Sequence, residues 1–293
     1  MIQDIQPELF QNHYEHLKPE SGNRILIFQQ DKLLARYDET NREIIYPKWE
    51  EFPSDSEIVY AFTLSDERFF LMMGTEQIPD GYEWYGMREL RGLVQQNNTG
   101  IFIAFTAWHL WKWYQSSRYC GCCGMETEFD IAERAMVCPK CGNKIYPRIN
   151  PAVIVGVTNG DRIVLTKYNV GYAYNALIAG FTEIGETMEE TVQREVMEEV
   201  GLKVKNIRYY KSQPWGIAAD ILMGFYCEVD GDDTIHRDDN ELKYAEWVKR
   251  EDIELQPDSL SLTNEMMMMF KSGQWPGGSG QWPAVSCQRL EST

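Results

Sequence analysis

The sequence predicts an α+β protein: an N-terminal β-rich domain, a small cysteine module, and a C-terminal domain that mixes strands with one strongly patterned helix. Three observations carry that expectation. Paired apolar runs separated by short polar links fill much of the first hundred residues, two Cys-x-x-Cys pairs lie between 120 and 141, and β-rich runs after Pro147 lead into an acidic, helix-periodic stretch. The chain has 293 residues, enough for two domains and a small insert. Hydrophobic residues make up 43% and charged residues 25%, which excludes a wholly disordered, collagen-like or coiled-coil chain. The net charge of −17 repels polyanions unless a basic patch or bound divalent cations reverse it locally, so non-specific nucleic-acid binding is excluded as a first reading.

Met1 to Phe10 carries Asp4 and Glu8 and has neither a basic lead nor an apolar centre, so no secretory signal is read there and a cytoplasmic location is expected. Arg24 to Phe28 and Lys32 to Arg36 flank Gln29-Gln30-Asp31, and Ile58 to Met73 repeats the pattern around Ser65-Asp66-Glu67. Both read as antiparallel strand pairs. Trp84 to Gln96 reads as a link holding a short helix from Met87, and Ala104 to Gln115 as an aromatic-rich helix that ends the first domain, spanning 1–115. Ile101 to Trp111 is the most apolar stretch and is too short for the roughly 20 residues of a membrane span. A buried helix and no membrane association are expected.

The cysteine module, 116–147, carries Cys120-Gly-Cys-Cys123 and Cys138-Pro-Lys-Cys141, each pair followed by glycine at Gly124 and Gly142. Two such knuckles can place Cys120, Cys123, Cys138 and Cys141 tetrahedrally about one structural Zn²⁺. A disulfide is disfavoured in a reducing compartment, and a thioredoxin-like site needs only one pair. Cys122 could substitute for its neighbour, although the matched spacing favours Cys123.

Beyond Pro147, Asn159-Gly160 between Ala152–Thr158 and Arg162–Thr166 is a strong hairpin signal, with both turn residues expected at positive φ. Thr187 to Val200 reads as a helix, strands follow near Val204–Lys211 and Ile221–Val229, and a last helix is expected around Leu260–Lys271. Val192, Val196 and Val200 form its core face, while Glu195, Glu198 and Glu199 fall at i, i+3 and i+4 and share a side. The bland alternative is a solvated acidic face. Clustered carboxylates on a helix braced by Gly180, Gly185 and Gly201 suit a hard divalent cation such as Mg²⁺ or Mn²⁺. Met266 to Met269 reads as core or as a dimer contact. The end, 273–293, repeats Ser-Gly-Gln-Trp-Pro at 272 and 279 and is expected to be a disordered tail or a cloning scar.

Gly180, Glu186 and Arg194-Glu195-Val196-Met197-Glu198-Glu199-Val200-Gly201-Leu202 together resemble a complete Nudix box. The resemblance implies an α/β/α sandwich over 148–272 in which Glu195, Glu198 and Glu199 bind Mg²⁺ or Mn²⁺ on a pyrophosphate. It makes Glu186, Arg194, Glu195, Glu198 and Glu199 the catalytic set, with Arg194 orienting carboxylates. Glu199 is the first candidate for proton acceptor and Glu241 the second.

The wider chain is similar to the NADH pyrophosphatase (NAD diphosphatase) family of zinc-ribbon Nudix hydrolases, through Tyr119-Cys120, Cys123-Gly124, Ile145-Tyr-Pro-Arg148, Leu177-Ile-Ala-Gly-Phe181, Ser212-Gln-Pro-Trp215 and Glu241-Leu242 with Ala245-Glu-Trp247. By that resemblance Glu241 is a fourth metal ligand, Phe181 lies against a base, Tyr146 reaches the partner's site in a homodimer, and Gln213, Trp215 and Thr263 join the substrate pocket. The implied reaction cleaves NADH or NAD⁺ to nicotinamide mononucleotide and AMP, with removal of NAD caps from RNA as a second use. Where the family has Pro-Phe-Pro after the tryptophan, this chain has Gly216-Ile217-Ala218. ADP-ribose or dinucleoside polyphosphates as the main substrate, and a non-catalytic nucleotide sensor or RNA-binding zinc protein, are the competing readings.

Overall fold

The computed structural model describes residues 1–53, 57–74, 78–93, 95–169 and 174–275. The second Ser-Gly-Gln-Trp-Pro repeat lies outside the described residues. The chain divides into two units: Ile2–Ile149 with Trp215–Ala219, and Asn150–Pro214 with Met1 and the chain from Asp220 onward.

In the first unit, β1 (Phe10–Gln11), β2 (Arg24–Gln29), β3 (Lys32–Asp38), β4 (Glu43–Ile45), β5 (Ile58–Leu64), β6 (Glu67–Met72) and β7 (Glu83–Gly86) form one sheet in the order β1-β5-β6-β2-β3-β4, with β7 also on β3. The two expected hairpins are present, Phe28 facing Leu33 and Leu64 facing Glu67. A short helix, α1 (Met87–Gly92), precedes α2 (Thr99–Ser116).

The second helix begins five residues before the expected Ala104. The side chains of Asn97 and Gln95 accept from the Thr99 and Ile101 N–H groups and so satisfy donors of the first turn. Apolar on nearly every side, α2 is buried as a helix of that composition must be, with Phe28 stacked on Trp111 at 5.1 Å and Phe102 edge-on to Phe10 at 4.9 Å.

The cysteine module follows as three two-residue strands, β8 (Glu128–Phe129), β9 (Met136–Val137) and β10 (Lys144–Ile145), in the order β10-β9-β8. Arg134 ties it into the first unit. Its guanidinium donates to the Ala61 carbonyl at 2.6 Å and lies over the Tyr14 ring at 5.5 Å.

The second unit is a mixed sheet of β11 (Asn150–Asn159), β12 (Arg162–Tyr168), β13 (Ile178–Phe181), β14 (Val204–Trp215), β15 (Asp220–Val229) and β16 (Leu242–Lys249), in the order β14-β15-β11-β12-β16 with β13 on β11. The β11–β15 pairing is parallel. The β11–β12 turn is shifted one residue from expectation. Asn159 pairs with Arg162, so Gly160-Asp161 forms the turn and only Gly160 takes a positive φ, 62°, the Gly-first pattern of a type II′ turn. The Asn159 amide donates to Asp233 and keeps that residue in the strand.

Helix α3 (Met188–Val200) lays Val192, Val196 and Val200, all fully buried, on Val153, Val155, Ile178 and Phe225. Helix α4 (Leu262–Lys271) covers the opposite face, where Leu262, Met266, Met267 and Phe270 meet Ile154, Tyr210 and Tyr226. Trp275 belongs to that core, 5.1 Å from Phe270, so ordered packing extends past residue 272. Among the described residues no helix is long and apolar enough to cross a membrane.

Replacing Arg134 by alanine leaves the Ala61 carbonyl without that donor and takes the guanidinium off the Tyr14 ring. The expected cost is about 2–3 kcal/mol, read as a lower urea midpoint at unchanged slope; an unchanged midpoint would show that the module is held by other contacts.

Candidate active site

The site is built on α3. Thr187 caps its N-terminus, accepting from the Glu190 N–H while the Glu190 carboxylate accepts from the Thr187 N–H at 2.8 Å. Gly201 ends it with φ 70°. The three-valine face fixes the helix on the sheet and turns the acidic side toward β13 and the loop before the helix.

Arg194 organises that side. Its Nε and Nη2 donate to the two Glu186 oxygens at 2.6 and 2.9 Å, Nη1 to Glu195 at 2.7 Å and Glu198 at 3.0 Å, and Nη2 also to the Phe181 carbonyl at 2.8 Å. Glu186 is further held by the Glu183 N–H and the Thr191 hydroxyl. The guanidinium, foremost, brings the Glu186 carboxyl down to about 2. The Glu195 carboxylate packs directly over Gly180, where an added Cβ would lie 1.9 Å from its carboxyl carbon. Glycine is therefore required at 180 by close approach.

Glu199 has no such cation. It is 2% exposed, takes one backbone hydrogen bond from Ala179 at 3.2 Å, and leaves Oε2 buried with no partner. Burial pushes it up to about 8, the Ala179 N–H opposing and the charges of Glu241 and Glu195 adding to the rise. Glu195 is also raised, mainly by burial. A buried, unpartnered carboxylate oxygen beside two more carboxylates is a costly arrangement that a hard divalent cation relieves, so Glu195, Glu199 and Glu241 fit the implied metal. Glu241 is exposed, in the turn just before β16, its carbonyl accepting from the Asn169 N–H.

The sequence reading missed Tyr168, at the end of β12. Burial, and then the charges of Glu199, Glu241 and Glu195, suppress its ionisation, which places its hydroxyl in the field of the carboxylate cluster. Nothing in a strand-ending tyrosine signals this.

The expected pocket residues divide. Phe181 exposes 54% of its surface, and Thr263 is half-buried in the first turn of α4. Gln213 is fully buried, its Nε2 donating to the Leu260 carbonyl and its Oε1 accepting from the Leu262 N–H, both at 2.7 Å. Both amide atoms are engaged there, so the side chain positions the start of α4. Trp215 and Tyr146 belong to the other unit. The Trp215 ring lies 5.4 Å from Phe105 and beneath Arg91, and Tyr146, exposed, donates to Glu133. Gly216 follows Trp215 because an added Cβ would come within 2.1 Å of the Phe105 carbonyl oxygen, which excludes the proline of the resembled segment.

The four expected zinc ligands converge, their sulfur atoms lying within 4.8 Å of one another. Three of the separations are 3.5–3.6 Å, close to the edge of about 3.8 Å of a tetrahedron with Zn–S bonds of about 2.3 Å. The knuckles repeat one another: the Gly124 N–H bonds the Cys120 carbonyl and the Gly142 N–H that of Cys138, each at 2.9 Å, with φ 72° and 73°. The N–H groups of Cys122 and Cys123 hold the Cys120 thiol down to about 6 and so favour the ligating thiolate. The Cys122 side chain is exposed and outside the cluster.

Residues 148–267 match the NUDIX domain family, and residues 115–146 match the NADH pyrophosphatase zinc ribbon domain. The chain carries a Nudix domain behind a zinc ribbon. Over 169 residues, 57% of the chain, it is 39% identical to the NAD-capped RNA hydrolase NudC of Photorhabdus laumondii and 40% identical to that of Escherichia coli O9:H4. The aligned segment spans 62% of those relatives' length. A crystal structure of a NUDIX hydrolase from Nitrosomonas europaea, 20% identical, superposes on 54% of the chain and 94% of its own with a TM-score of 0.46. The Arg194 and Glu199 arrangement lies within the residues that match the Nudix domain, and the four converging cysteines within those that match the zinc ribbon.

Elemental analysis should find one zinc per chain, retained in Cys122→Ser and lost in Cys138→Ser, with chelation lowering the melting temperature. Zinc lost in Cys122→Ser would reassign the ligand set.

Proposed function

We propose that this chain hydrolyses the pyrophosphate of NADH or NAD⁺ to nicotinamide mononucleotide and AMP, and that it removes NAD caps from RNA as a second use. The observation that carries the reading is an intact carboxylate cluster, with the orphaned Glu199 oxygen at its centre, in the same chain as an NADH pyrophosphatase ribbon. The relatives' name, NAD-capped RNA hydrolase, and the retained Ser212-Gln213-Pro214-Trp215 support the substrate class. A sensor has no need of Glu186, Glu195, Glu198 and Glu199 together.

In this reading Glu195, Glu198, Glu199 and Glu241 would hold Mg²⁺ or Mn²⁺, which when bound would supply charge neutralisation of the pyrophosphate and a lowered pKa for the attacking water. Glu199, whose Oε2 has no other partner, accepts the proton of that water. Arg194 fixes the carboxylates and Glu186 fixes Arg194. Phe181 supports a base, Trp215 and Thr263 line the pocket, and Tyr146 enters it from the second subunit of a homodimer. The protein works in the cytoplasm, where its thiols stay reduced, with 1–115, 116–147 and 148–272 as its domains and a tail beyond.

Gly216-Ile217-Ala218 favours some activity on other AMP-containing pyrophosphates, because the rigid proline segment is gone. With Mg²⁺ or Mn²⁺, the protein should convert NADH to reduced nicotinamide mononucleotide and AMP at a kcat/KM at least comparable to that for ADP-ribose. Glu199→Gln should lose about 100-fold or more in turnover while its melting temperature holds or rises. Cleavage of ADP-ribose about 100-fold better, a gap of about 2.7 kcal/mol, would reassign the substrate, and equal turnover in the variant would move the active site elsewhere.

A further inference from the structure

Three of the four carboxylates proposed for the divalent cation stand on α3, whose valine face fixes them together. Glu241 comes from elsewhere. It lies exposed in the turn before β16, and its carboxylate has no hydrogen bond or ion pair among the described residues. Its place is therefore decided by the backbone that carries it. That backbone runs Asp238-Asp239-Asn240-Glu241, in which the three acids repel one another.

Two anchors hold the turn. The Asp238 N–H donates to the Glu199 carbonyl at 2.9 Å, which ties one end to α3. Asn169, directly after β12, supplies the other. Its N–H donates to the Glu241 carbonyl at 2.9 Å, and its Nδ2 donates to the carbonyls of Asp239 at 3.0 Å and Asn240 at 3.1 Å. One residue thus holds three consecutive carbonyls. An amide side chain suits this, because its NH₂ carries two donors for neighbouring carbonyls, whereas a carboxylate of the same shape carries none.

The sheet prepares the contact with a register slip. In the β12–β16 ladder Lys167 faces Tyr244 but Tyr168 faces Leu242, so Lys243 is passed over in a β-bulge. A regular ladder would bring Asn169 opposite Leu242, and the slip brings it opposite Glu241 instead. The Arg237 guanidinium donates to the Lys243 carbonyl at the bulge. Tyr168, next to Asn169, packs into the core beneath α3 and feels the charges of Glu199, Glu241 and Glu195, so the end of β12 borders the carboxylate cluster.

Resting on the metal role proposed above for Glu241, we propose that Asn169 is a positioning residue of the divalent-cation site, which acts through Glu241 by clamping the backbone of Asp239, Asn240 and Glu241. Without the clamp the acids of the turn spread apart, and binding the ion must then order the turn again, at the expense of affinity.

Titration of the zinc-loaded chain with Mn²⁺, read from the electron paramagnetic resonance of the free ion, tests this without any substrate. Glu241→Gln should weaken Mn²⁺ binding about 10-fold or more, and Asn169→Ala about 10-fold. The double variant should bind within about 2-fold of Glu241→Gln alone, since the clamp has nothing left to position once its carboxylate is gone. Asn169→Ser keeps one side-chain donor and should fall between native and alanine, and it is the second variant should Asn169→Ala fold poorly. Retained zinc and a near-native urea midpoint, measured without Mn²⁺, identify the folded variants. Native affinity in a folded Asn169 variant, or losses that multiply in the double variant, would reduce Asn169 to a structural contact. Native affinity in Glu241→Gln would remove Glu241 from the ligand set and this assignment with it, while hydrolysis resting on Glu195, Glu198 and Glu199 stands. A native chain that binds no Mn²⁺ would end both the metal site and the clamp.

Discussion

One guanidinium holds together a group of carboxylates that would otherwise repel one another. Arg194 binds Glu186, Glu195 and Glu198 and reaches the Phe181 carbonyl, so it joins the entry loop, the helix and the end of β13 in one network. A single arginine cannot also neutralise Glu199, which sits beyond its reach in the protein interior. Three-valine packing on one side of α3 makes this tolerable, since Val192, Val196 and Val200 anchor the helix while the opposite side stays charged. The repulsion and burial cost that remain at Glu199 and Glu195 are what a bound divalent cation would relieve.

The sheet separates two tasks by face. Gly180 points toward α3, and its missing side chain lets the Glu195 carboxylate rest on the strand. Its neighbour Phe181 points to the α4 face and offers an exposed ring there. Charge handling and base contact are thus adjacent in sequence and opposite in direction, as strand alternation requires. Gln213 secures the second face by bridging Leu260 and Leu262, so the first turn of α4 is placed by a buried side chain.

Much of this was legible from residue spacing. The valine period placed the core face of α3, the carboxylates at i, i+3 and i+4 shared a side, and matched cysteine knuckles identified the ribbon's ligands. The failures were those of tertiary context. Helix α2 begins five residues before Ala104, where Gln95 and Asn97 serve its first turn. Asn159-Gly160 looks like a turn centre until Asp233, over seventy residues away in sequence, holds Asn159 in its strand. The bridge that Gln213 makes between Leu260 and Leu262 is likewise invisible in the sequence. Tyr168 carries no motif, and only the fold reveals what surrounds it.

The central claim is that the box is a metal site with its charge left unbalanced by the protein alone. Thermal unfolding of the zinc-loaded protein with and without Mn²⁺ tests it without reference to any substrate. At a hundredfold excess over Kd the ion should stabilise the native state by about 2.7 kcal/mol, raising the midpoint, and the Glu195→Gln, Glu199→Gln double variant should lose most of that rise. A native midpoint indifferent to Mn²⁺, or an equal rise in the double variant, would contradict the account.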